Sequence, residues 1–464
     1  MKKKGEKDMK CRNKRSGRKT GLWIVCAWLC LLGATAQAVA ENIPTPREVA
    51  SWLGLGWNLG NQFDAHQNGV ASETAWGNPP VTKKLLQKVA EAGFTSVRIP
   101  VTWLGHMGKA PDYAVDPLWL DRIAEVVDDA ESLGLRVILN IHHDGADSQY
   151  WLDVKTAATD AQTHAAVKKQ LAALWTQIAL RFKDKGEFLI FESMNEIHDG
   201  GWGWGNNRTD GGRQYDVVNE WNQVFVDAVR GTGGKNATRY LGVPGYCANP
   251  ELTMKHFVMP DDKTAGRLLV AVHFYDPTPY TLEARYPAWG HTAPDSLRVD
   301  WGGETHVTHV FGQLKDKFID RGIPVYIGEM GCVRRGDEKG EAFRRYYLEY
   351  VCKAAHACGM APFYWDNGSN ATGRECSGLF DRKTGEFSDG SPEAVACMKR
   401  AVFPKKTATR WRTSISMRLE PWAHPSPRNP SHLRATAGQS PCKGHARLPE
   451  ERQKDTCQAQ KVTG

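Results

Sequence analysis

An α/β fold of the (β/α)8 type, a closed barrel of parallel strands each followed by a helix, is what this sequence predicts. Two observations carry the prediction. Between Trp52 and Phe403, eight short apolar, β-branched or aromatic runs alternate with longer stretches, most of which repeat their apolar residues about every 3.6 positions. Seven of the eight runs also end in a polar or aromatic group, and in such a barrel the C-terminal ends of the strands form the working mouth. An open doubly wound sheet is the competing architecture. No G-x-G-x-x-G follows the first run, so its cofactor signature is missing.

The first strand is expected at Gly54–Asn58. A helix over Lys83–Ala92 leads to the second, Thr95–Pro100, and a helix over Asp121–Leu133 to the third, Leu135–Ile141. Ala165–Lys183 reads as the helix before Phe188–Glu192, and Tyr215–Arg230 as the helix before Arg239–Val243. The sixth run, Leu268–Phe274, follows without a clear helical pattern. The helices His306–Asp320 and Glu341–Ala357 then precede Pro324–Gly328 and Ala361–Trp365.

Charge divides the chain into three parts. The net +8 of the 464 residues resides at the ends: residues 1–20 hold ten basic against two acidic residues, and 404–464 hold twelve against four. Residues 21–403 are therefore at −8, which removes the nucleic-acid reading that a basic pI invites. A basic start, an apolar run from Gly21 to Ala34 and small residues at Ala36, Ala38 and Ala40 predict a secretory signal over 1–40. The run is short for a membrane span and two Trp interrupt it, so no membrane association is expected after cleavage. One barrel domain over 41–403 and a basic, disordered tail over 404–464 complete the division. Six of the eleven Cys fall in the barrel, with no C-x-x-C pair, so neither zinc nor redox chemistry is indicated. Disulfides and buried thiols both remain open for them.

Two strand ends lead into carboxylates: Phe188-Leu189-Ile190-Phe191-Glu192-Ser193-Met194-Asn195-Glu196 and Pro324-Val325-Tyr326-Ile327-Gly328-Glu329. A carboxylate at the mouth of a buried strand is expensive to desolvate, and a pair suits acid/base work on a bond held between them, as in glycoside cleavage. The other ends bring Asn58, Arg98, His142 with His143, Asn195, His273 with Tyr275, and Trp365 to the same mouth. Alone, Arg98 reads as a buried ion-pair partner, His142 as a satisfied core histidine and Trp365 as packing. Seven such ends together are not a packing pattern, because in this fold the stabilising residues gather at the opposite face.

The strings Gly56-Trp57-Asn58-Leu59-Gly60-Asn61, Val97-Arg98-Ile99-Pro100, Ile141-His142-His143, Met194-Asn195-Glu196, Val272-His273-Phe274-Tyr275, Ile327-Gly328-Glu329 and Tyr364-Trp365-Asp366 resemble family five glycoside hydrolases of the clan A barrels. They are most similar to the secreted endo-β-1,4-glucanases of that family. The resemblance implies retaining hydrolysis of β-1,4-glucosidic bonds in cellulose-type glucans, with Glu196 as acid/base and Glu329 as nucleophile. It also implies Asn195 on the sugar 2-hydroxyl, His142 and His273 as polar positioning groups with His143 beside them, and Trp365 as the floor under the sugar. Asn58 and Arg98 complete the substrate-facing set. Arg98 and a Tyr275 hydrogen bond are expected to hold Glu329 ionised, while burial and repulsion from Glu329 raise Glu196. A polysaccharide is the expected partner of a secreted (extracellular or periplasmic) monomer that needs no cofactor and no metal. Xyloglucan, mixed-linkage glucan and mannan stay open as substrates.

Trp103, Trp202, Trp204 and Trp289 fall in stretches that read as mouth loops. Two indoles among the glycines of Gly200–Gly205 favour sugar stacking at Trp202 and Trp204, and Trp103 is grouped with them. Trp289 divides evenly between stacking and packing, and Trp175 and Trp221 belong to helix patterns and the core. A metal hydrolase built on His142, His143, Asp144 and Asp147 would leave both glutamates idle. A non-catalytic sugar-binding barrel would have no need of the pair.

Overall fold

The computed structural model of the chain describes residues 43–200 and 211–404. The expected signal over 1–40, the tail from 405 onward, and Trp202 with Trp204 lie outside those residues. Eight strands close into one barrel: β1 Gly56–Leu59, β2 Ser96–Ile99, β3 Arg136–Asn140, β4 Leu189–Glu192, β5 Leu241–Pro244, β6 Leu268–Phe274, β7 Val325–Met330 and β8 Ala361–Asp366. Every neighbour is parallel and consecutive, and Gly56 of β1 pairs both with Ser96 of β2 and with Phe363 of β8, which shuts the ring. The predicted (β/α)8 barrel is what the chain forms.

A principal helix follows each strand: α1 Lys83–Ala92, α2 Pro117–Ser132, α3 Ala161–Arg181, α4 Arg213–Gly231, α5 Pro250–His256, α6 Glu304–Lys317, α7 Glu338–Cys358 and α8 Ser391–Val402. Their starts are set locally. Thr82 accepts the Leu85 N–H ahead of α1, and Asp116 accepts the Leu118 N–H ahead of α2, which has Pro117 in its first turn. α5 and α8 were not expected from periodicity. Both carry a start signal instead: Asn249 caps α5 ahead of Pro250, and Pro392 stands in the first turn of α8.

The barrel interior is layered. At the bottom, a helix over Pro46–Leu53 presents Val49 and Leu53 to Ile138, Ile190, Leu269, Ala271 and Phe363. The other end of the domain meets it there, since the Phe403 ring lies against Gly54. Tyr326 crosses the next level because β5 has a glycine opposite: a Cβ on Gly242 would fall 2.3 Å from the Tyr326 hydroxyl. Above Tyr326 the inward positions turn polar and lead to the mouth. The six barrel cysteines are free thiols.

Candidate active site

The polar layer is organised by Arg98, fully buried on β2. All five of its N–H groups are used. Nε donates to both oxygens of Glu192, Nη2 to Glu192 Oε1 (2.6 Å) and Asn195 Oδ1 (2.8 Å), and Nη1 to Asn58 Oδ1 (3.0 Å) and Glu329 Oε1 (2.8 Å). Glu192 also accepts from Asn140 (2.9 Å) and from the Tyr326 hydroxyl (2.5 Å). Burial alone would raise Glu192, but the Arg98 charge outweighs it and holds the carboxylate ionised. Asn58 is buried too, donating to Gly328 O and Tyr364 O. Arg98 and Asn58 therefore sit beneath the mouth and brace Glu329, rather than facing substrate as the sequence had suggested.

Glu329 stands on this base. Its strand bulges just below: Val272 of β6 pairs with Ile327, and His273 already pairs with Glu329, so Gly328 is the extra residue. Oε1 of Glu329 takes the Arg98 bond and Oε2 accepts from the Tyr275 hydroxyl at 2.9 Å. Burial and the neighbouring carboxylate charge push the Tyr275 phenol well above its ordinary range, so it stays a donor. Glu196 follows β4, and its Oε1 lies 2.6 Å from His273 Nδ1, which is 3.7 Å from Glu329 Oε2. One oxygen of each glutamate and one nitrogen of His273 all lie within 4.8 Å of one another.

The proton distribution differs from the sequence expectation. Burial raises Glu329, and the Glu196 charge adds to this against the pull of His273 and Arg98. Burial also raises Glu196, but His273 in direct contact brings it below the usual value. Burial opposes the charge on His273, and the two carboxylates restore it, leaving the ring above its ordinary range. The reversal has a geometric cause: His273 touches Glu196 and stands a full ångström farther from Glu329.

His142 is 3% exposed, and its Nδ1 accepts from Asn140 (3.1 Å), which leaves Nε2 as the protonated nitrogen, 4.0 Å from Glu329 Oε1. Burial, with His143 and Arg98 nearby, keeps this ring neutral. It stacks on Trp365, centroids 5.7 Å apart and planes 4° from parallel. The aromatic surface continues outward through His143, Trp76, His66 and Tyr150 at centroid steps of 4.4, 5.4, 5.6 and 5.3 Å. Trp76, His66 and Tyr150 went unnoticed in the sequence, and Glu192, Asn140 and Tyr326 were given no role there. Strand parity was the available signal for the latter three, because each falls on the inward alternation of its strand.

One tryptophan expectation is corrected and one open alternative is decided. Trp103 is wholly buried, its N–H on Asp144 Oδ2 and its Nε1 directed at Asn140 O, so it offers no face to a sugar. Trp289 is 2% exposed, caged by Tyr346, Tyr347 and Tyr350, and donates to Gly302 O. Both are packing residues. The cluster considered for metal does not assemble as anticipated either. Asp144 turns to Trp103 and Trp151, and burial pushes it up to about 6. Asp64, whose oxygens accept the Asn61 and Gln62 N–H groups, is the acid that approaches His142 and His143.

With this geometry in view, comparison with known proteins is decisive. The sequence matches the family Cellulase (glycosyl hydrolase family 5) over residues 60–371. The chain belongs to glycoside hydrolase family 5. A solved GH5-4 broad specificity endoglucanase from Bacteroides salanitronis is 64% identical, with a TM-score of 0.76 over 78% of this chain and 96% of that one. Endoglucanase A of Paenibacillus barcinonensis is 38% identical over 75% of this chain and 88% of its own. A xyloglucan-specific endo-beta-1,4-glucanase of Bacteroides ovatus is 33% identical over 74% and 68%. The family 5 enzyme described here is thus a glycoside hydrolase, and its carboxylate pair lies where strands β4 and β7 open into the mouth.

Proposed function

We propose that this family 5 hydrolase is an exported endo-β-1,4-glucanase in which Glu329 attacks the anomeric carbon and Glu196 serves as acid and then base. The spacing of the pair carries the reading. Carboxylates about 5–5.5 Å apart suit retention, whereas inversion needs about 6.5–9.5 Å to admit a water; here the nearest oxygens lie within 4.8 Å. Glu329 is held by donors on both oxygens, Arg98 and Tyr275, which aim it. Asn195 gives its Oδ1 to Arg98, so its amide nitrogen is left for the sugar 2-hydroxyl. Forming the glycosyl ester removes the negative charge of Glu329 while Glu196, giving up its proton, acquires one. The charge moves across His273, which is within 2.6 Å of one carboxylate and 3.7 Å of the other. Trp365 and His142 offer the floor and edge for the sugar at the cleaved bond, and His143 with Trp76 extends the surface along the glycone side.

Cellulose-type glucan is the leading substrate. The broad specificity of the 64% identical relative supports mixed-linkage glucan and xyloglucan as further ones, with mannan behind them. Export rests on the signal pattern of residues 1–40. The test is a panel of soluble β-glucans and mannans assayed for new reducing ends, with the product anomer followed by NMR. Retained β-product from a glucan is the expected result, and an inverted product overturns the mechanism. Glu329→Ala should abolish turnover on every substrate. Glu196→Ala should spare the first step on aryl glycosides, whose leaving group needs no proton; equal loss on aryl and natural substrates would misassign the acid.

A further inference from the structure

We propose that Trp301 is a sugar-stacking platform on the leaving-group side of the mouth, an outer subsite for a β-linked glucose ring beyond the cleaved bond. The proposal rests on the endo-glucanase reading above. Trp301 lies in the connection from β6 to α6, two residues after Val299 and just before the N-terminal end of α6, hence at the C-terminal mouth. At 46% exposure it is the most exposed tryptophan among the described residues.

Its mounting is rigid. The indole packs nearly perpendicular to the His306 ring, at 6.0 Å between centroids and 85° between planes, and His306 Nε2 is bound to Asp276 Oδ2 at 2.7 Å. Asp276 directly follows Tyr275, the residue that donates to Glu329. The next residue, Gly302, adopts φ +73 and lies so close to Pro277 that a Cβ would approach its ring to 2.7 Å. The Gly302 carbonyl is in turn held by the caged Trp289 indole at 2.8 Å. A large apolar ring that meets His306 and is still 46% exposed is not accounted for by packing. Flat indole faces fit the apolar faces of glucose rings.

Its side of the mouth follows from the barrel order. The aromatic surface from Trp365 through His142 to Tyr150 occupies β8 and the loops after β1 and β3. Glu196, which hands its proton to the departing sugar, follows β4, and the run β4, β5, β6 leads away from that surface to Trp301. A chain that crosses both carboxylates passes from one aromatic region to the other.

The experiment compares cellohexaose, cellotetraose and a nitrophenyl β-cellobioside on wild type, Trp301→Ala and Trp301→Phe. Trp301→Ala should lower kcat/KM on cellohexaose about two- to tenfold more than on the aryl cellobioside, chiefly through KM, with Trp301→Phe in between. Cleavage of reducing-end-labelled cellohexaose should shift toward shorter leaving fragments. Calorimetric titration of cellohexaose into Glu329→Gln should show weaker binding when Trp301→Ala is added. Equal effects on all three substrates, or unchanged hexaose binding in that titration, overturn the platform while leaving the enzymatic reading intact. A wild type that cleaves no β-glucan overturns both.

Discussion

Glu196 and Glu329 differ in what touches them, and His273 is the residue through which that difference is measurable. Its charge lowers both carboxylates. The two limbs of a rate profile report the two ionisations of the coupled pair, whose working form holds one proton on Glu196 and none on Glu329. Removing the imidazolium raises both pKa values, so His273→Ala should move the whole bell to higher pH while lowering its height. A bell displaced to lower pH, or unmoved, would mean that His273 carries no charge in the working enzyme. The pair itself was legible in the sequence, because a glutamate ending an apolar run is conspicuous. The fate of each tryptophan was not. Trp103 and Trp289 share with Trp301 a place in mouth loops, and only the folded chain shows that two turn inward.

Among the strands, β7 does the most to place the chemistry. Its bulge at Gly328 turns Glu329 toward His273 and Arg98, and a Cβ at Gly328 would come within 3.0 Å of His273 Nε2. Gly328→Ala should therefore push the ring by a few tenths of an ångström and lower kcat/KM by about tenfold with little change in melting temperature. Full activity in that variant would show slack around His273. β4 contributes Glu192, which lies at 1% exposure against Arg98. Glu192→Ala leaves the guanidinium short of its closest counter-charge, and a loss of roughly 3–5 kcal/mol in chemical denaturation is expected. A loss under about 1 kcal/mol would mean that water or Glu329 compensates it. All eight strands could be read from their apolar runs, yet the bulge could not, since it depends on the register against β6. The missed helix α5 spans only seven residues, too few for an apolar period to show, whereas α8 places Val395, Met398 and Val402 at helical spacing and was legible.

For the molecule as a whole, the barrel and its eight principal helices are complete by Val402. Deleting residues 405–464 should leave the melting temperature and activity on soluble glucan almost unchanged, because that basic segment is poor in core-forming residues. A drop of several degrees on deletion would show that it packs on the barrel. The seam between Gly54 and Phe403 has a further consequence. The helix that enters the domain plugs the barrel floor, and the final turn of α8 ends beside it, so both ends of the folded unit emerge at the pole opposite the carboxylates. An attachment made at either end, whether a solid support, a cell surface or a second protein, holds the enzyme by its back and leaves the cleft facing outward, free to travel along an insoluble polymer.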